Sequence, residues 1–113
     1  MDGQGLFAER ENIKTSLQNS LLRAYDNGID LAEKTRAYRI LLAQTMLQME
    51  ADGAKQTTLK DIAKGKDEVA NAEFEMISAK VRYQASNENI MAQKKLLESI
   101  EMDIKREWGG NVG

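Results

Sequence analysis

Apolar residues recur every seven positions along the C-terminal part of the chain: Val69, Met76, Tyr83, Ile90, Leu97 and Ile104. The positions three residues after each are Ala72, Ala79, Ser86, Gln93, Ile100 and Glu107. A seven-residue repeat held over six heptads predicts a helix packed lengthwise on another helix in coiled-coil fashion. Small residues at the second seam position let two helix axes approach closely. No Gly or Pro interrupts 67–108, so the pattern predicts a single helix there, roughly 60 Å long at about 1.5 Å per residue. Gly109-Gly110 ends it, and 109–113 reads as a loose tail.

Two shorter patterns precede it. Ile13, Leu17, Leu21 and Ala24 share one helical face and predict a helix over 6–27. Asn27-Gly28 reads as a stop signal, with Asp30 placed to cap a new helix, so a break or kink is expected at Gly28. The next helix is expected over 31–51, with Leu31, Tyr38, Leu41, Leu42, Met46 and Met49 on its apolar side, broadened by Ile40 and Leu47. Asp52-Gly53 ends it. The stretch 54–66 holds four Lys and one Asp and reads as a basic connector. Thr58 followed by Asp61 resembles an N-cap with an acid in the first turn, predicting a short helical turn over 59–64 that Gly65 stops. Leu59 and Ile62 are expected to tuck against the ends of the long helices.

The simplest assembly is all-α: 1–113 as a single helical domain, an elongated helical hairpin or coiled-coil bundle with one long C-terminal helix. The helix 31–51 would lie antiparallel on 67–108, joined by the basic connector. It covers only about half of the longer helix. The remainder is left to the first helix or to a second copy, and a homodimer is expected on that ground.

Composition narrows the chemistry. Proline is absent, which removes the main helix breaker. The chain also has neither Cys nor His. Disulfides, zinc sites built on those residues, Cys nucleophiles and His general bases are therefore excluded. Carboxylates remain. Glu73 with Glu75, and Glu98 with Glu101 and Asp103, are the closest groups, and they read as a solvated charged face. No catalytic residue, metal site or cofactor is expected, and the chain reads as a non-enzyme. A net charge of −2 argues against general coating of nucleic acid. The N-terminus lacks the basic and apolar regions of a signal peptide, and no apolar run reaches the length of a membrane span, so a cytoplasmic protein is expected.

Binding is what these residues leave. Met is frequent for so short a chain and makes adaptable surfaces. Met46, Met49, Met91 and Met102, together with the single Trp108, form a candidate partner interface. The competing reading makes the methionines core filler and Trp108 a helix-end anchor. Lys55, Lys60, Lys64 and Lys66 in the connector are candidate nucleic-acid contacts, although no aromatic residue interleaves with them for base stacking.

The Trp108-Gly109 pair differs from the Trp-x-Gly turn of WXG-type secreted effectors, because it lies at the far end of the last helix. A wider set of residues spans about 30 to 110. It comprises Asp30-Leu31-Ala32-Glu33, Tyr38-Arg39, Thr58 through Gly65, Val69-Ala70, Glu73-Phe74-Glu75, Val81-x-Tyr83 and Arg106-Glu107-Trp108-Gly109. Together these resemble a family of small helical proteins encoded by phages and prophages of Gram-positive bacteria, in early regions near recombination and replication genes. The resemblance implies a viral origin and a role in DNA metabolism or in countering host defence, and supplies no catalytic residues. The leading expectation is an adaptor or inhibitor that docks on a recombination, replication or host-defence nucleoprotein, as an anti-defence inhibitor of the anti-CRISPR type would. One alternative is direct nucleic-acid binding through the connector, helped by Arg36, Arg39, Lys94, Lys95, Lys105 and Arg106. Another is a virion scaffolding component.

Overall fold

The computed structural model describes residues 3–109, which form three α-helices: α1 (Gly3–Ala51), α2 (Leu59–Gly65) and α3 (Asp67–Gly109). There is no strand among the described residues, and the fold is all-α with a long C-terminal helix. None of these helices is long and apolar enough to cross a membrane. Of the expected loose tail, Gly109 closes α3, a helix end being where Gly is readily accommodated. The remaining residues, 110–113, lie outside the described ones.

The expected division at Gly28 is overturned. α1 is one helix from Gly3 to Ala51, where separate helices over 6–27 and 31–51 were expected. Gly in a helix interior costs about 1 kcal/mol relative to Ala, but here it makes room. A Cβ at Gly28 would sit 3.1 Å from Cε1 of Tyr83 on α3. The absent side chain lets the aromatic ring lie against the helix. Asp30 is accordingly no cap; it sits inside α1 with its Oδ2 3.3 Å from Arg82 Nη2.

α1 ends at a glycine that does leave the helical conformation. Gly53 has φ +88°. Its N–H donates to the Glu50 carbonyl and the Ala54 N–H to the Met49 carbonyl, both at 3.0 Å. This crossed pair is a Schellman motif, and Ala54 makes its usual apolar contact by packing into the cluster that contains Met49.

Within a pair of long helices each residue touches only those near it along the axis. Contacts therefore fall into two compact units: Asp26–Tyr83, and the residues up to Tyr25 together with those from Gln84 onward. In the Asp26–Tyr83 unit α1 and α3 run antiparallel, since Tyr38 meets Glu73 while Asp30 meets Arg82. Tyr38, Val69 and Ala79 are buried, and Met49, Leu59 and Ala63 form a cluster with Leu42, Met46 and Ala54 packed around it. α2 joins through Leu59 and Ala63, four residues apart on one face. Ile62, expected beside Leu59, is exposed, and Ala63 takes its place. Thr58 makes no side-chain cap. Its backbone lies at φ −113°, ψ 0°, outside the extended region from which a capping hydroxyl reaches back to the first turn.

In the other unit the helices are antiparallel too, with Ser20 meeting Asn89 and Phe7 meeting Trp108. Leu6, Ser20 and Ala24 of α1 and Ile90 and Ile100 of α3 are buried. The expected Leu21 is half-exposed, and its neighbour Ser20 occupies the seam instead. A buried hydroxyl is tolerated when it is hydrogen-bonded. Ser20 Oγ accepts from Asn89 Nδ2 at 2.9 Å and from Arg23 Nη2 at 3.3 Å. The chain's own N-terminal segment thus packs on α3 here, which removes the ground on which a second copy was first expected.

Candidate binding surfaces

The residues singled out in sequence go to different places. Met49 is buried and Met46 packs against its cluster, so both hold α2 to α1 and are not open to a partner. Met91 and Met102 are exposed on α3. Trp108 packs its ring on Phe7, centroids 6.0 Å apart, and Arg10 lies over the other ring at 5.1 Å. Trp108 is therefore a helix-end anchor that leaves about half of its surface open. Among the lysines, Lys55, Lys60 and Lys66 are exposed. Lys64 stays partly exposed, with Nζ 4.0 Å from Glu73 Oε2. A lysine engaged with a carboxylate is a weaker phosphate ligand, so Lys64 is the least available of the connector's four cations.

Glu73 anchors a second contact. Tyr38 Oη donates a 2.6 Å hydrogen bond to Glu73 Oε2. That bond, burial of the phenol and the carboxylate's negative charge push the Tyr38 pKa from 10.0 up to about 12. The folded state therefore holds the proton more tightly than the unfolded chain does. Its contribution is complete below about pH 10 and is lost as pH rises toward about 12. Tyr38→Phe is expected to cost about 1 kcal/mol at neutral pH and to flatten the alkaline decline. Urea denaturation at about pH 8 and about pH 11 measures both effects.

No cluster of three or more acidic side chains among the described residues is arranged to hold a metal ion. The open features are apolar helix faces, which the sequence reading treated as seam or passed over. On α1, Ile29, Ile40 and Leu47 are exposed. Arg36 and Ile40 line two open grooves, one continuing to Glu33 and Gln44, the other to Ala32 and Arg39. On α3, Phe74, Ile77 and Val81 are 67%, 49% and 59% exposed. They follow Ala70 at spacings of four, three and four, which places them opposite the seam of buried Val69 and Ala79 and partly buried Ala72 and Met76. The chain matches no family model, no curated protein and no solved structure.

Proposed function

We propose that the chain is a non-enzymatic helical binding protein, acting in the cytoplasm, that docks an acidic segment of a protein partner on the outer face of α1. The observation that carries this reading is the exposure of Ile40 between two open grooves that Arg36 also lines, with Arg39 at the rim of one. An apolar stripe beside arginines suits an amphipathic partner. The apolar positions supply desolvation, and the guanidinium groups select carboxylates through charge-assisted, often bidentate hydrogen bonds. Met46 and Met49 belong to the packing behind this face, whereas Ile29 and Leu47 extend it along the helix. In line with the resemblance to phage and prophage proteins, we take the partner to be a recombination, replication or host-defence nucleoprotein. The chain would act as an adaptor or an inhibitor, by scaffolding or occlusion.

The test is capture from nuclease-treated host lysate by the tagged chain and by its Ile40→Asp and Arg36→Glu variants. The expected result is a specific protein that survives nuclease and is lost about tenfold or more with either variant, as truncation of an interface anchor produces. The variants' thermal unfolding should stay close to the parent's, since both positions are exposed. Capture that disappears with the nucleic acid would instead favour the connector lysines and overturn the reading.

A further inference from the structure

The outer face of α3 has a different character from that of α1, and the geometry points to a second copy of this chain as its occupant, laid antiparallel along Ala70, Phe74, Ile77 and Val81. These residues repeat the spacing of a two-helix seam on the side of α3 that faces away from α1. Antiparallel self-pairing sets Phe74 against Ile77 of the second copy and Ala70 against Val81, with the reciprocal contacts by symmetry, giving four apolar layers. Charge then decides the direction. Glu73 and Lys80 occupy equivalent positions beside this seam, and equivalent flanking positions face each other across an antiparallel pair. Glu73 lies opposite Lys80 of the second copy, and Lys80 opposite Glu73, so two ion pairs form per dimer. A parallel pairing sets Glu73 beside Ser78 of the other copy and adds no cation to the Lys64 that Glu73 already faces within its own chain.

Both side chains can make the contact. Lys80 is exposed, and the Glu73 side chain remains 34% exposed while it accepts from Tyr38. A carboxylate has lone pairs for more than one donor. Because α3 is already helical, association orders little besides side chains. Four layers from one helix pair form a small contact, so the dimer belongs to the weak class of interface, below about 1,200 Å².

Sedimentation velocity on the full chain tests this between about 10 μM and about 1 mM, the range in which weak interfaces populate. The parent is expected to move from monomer toward dimer, Phe74→Asp to remain monomeric, and Lys80→Glu to associate at least about tenfold more weakly, since it faces glutamate with glutamate. The chain lacks cysteine, so register can be read by oxidation. A mixture of Asn71→Cys and Ser78→Cys chains should cross-link more than either alone. A parent that stays monomeric throughout, a Phe74→Asp chain that dimerises as well as the parent, or a Lys80→Glu chain of undiminished affinity would overturn the inference. So would cross-linking within each single-cysteine variant that matches the mixture. None of these results bears on capture through α1, which has its own variants.

Discussion

Ala79→Asp is expected to lower the unfolding free energy by about 3–5 kcal/mol, the cost of an unpaired charge forced into a packed interior. Ala79 is 0% exposed, on the face of α3 turned toward α1, and the seam positions before it, Val69, Ala72 and Met76, are apolar as well. These α3 neighbours offer a carboxylate no counter-charge, and Lys34 of the facing α1 seam is itself partly buried, so a pair formed with it would still carry the desolvation cost of charge in the interior. Against a typical total of about 5–15 kcal/mol the loss takes a large share of the stability, so a large drop in urea midpoint should be plain. Ala85→Asp is the control. It makes the same substitution six residues later at an exposed position of the same helix, outside the Ala70–Val81 stripe, and should cost no more than about 1 kcal/mol, mainly helix propensity. Equal losses at the two positions would mean that α3 does not present the faces described.

Gly28→Pro is expected to cost about 3 kcal/mol or more and to lower helical circular dichroism. Proline removes the N–H that bonds four residues back and drives its ring into that carbonyl, here Ala24. The expectation follows from α1 running unbroken through this position. Were Gly28 the junction between two helices, proline there would break no hydrogen bond inside a helix, and helical circular dichroism would stay near the parent's. The circular dichroism of the variant separates the two cases.

The sequence pattern revealed α3 and concealed the continuity of α1, for one physical reason. The α3 seam is apolar at every seventh position, so the repeat is plain. The α1 seam runs Leu6, Arg10, Ile13, Leu17, Ser20, Ala24, Asn27, Leu31, Lys34, Tyr38, Leu41 and Thr45, alternating steps of four and three with no change of phase at Gly28. Arg10, Ser20, Asn27, Lys34 and Thr45 are polar, and an apolar search steps over them; it chose Leu21 where Ser20 is buried. Reading the spacing for phase, and not for hydrophobicity alone, would have carried the helix through the glycine. Burial of Met49 depended on where α2 returns to the long helices, a tertiary fact that local periodicity does not encode. The outer stripe of α3 was within reach: once Val69, Met76 and Tyr83 define the seam, Phe74 and Val81 fall opposite it.

The two exposed helix faces divide the work in this account. As proposed above, a second copy would cover the apolar face of α3, and the arginine-flanked face of α1 would stay open to a target. Methyl NMR of the chain with and without the captured protein reads the α1 face residue by residue. The methyl signals of Ile29, Ile40 and Leu47 are expected to shift on addition of the partner while those of buried Val69 and Ile100 stay in place. Shifts confined to Met91 and Met102, or none on α1, would contradict docking on that helix.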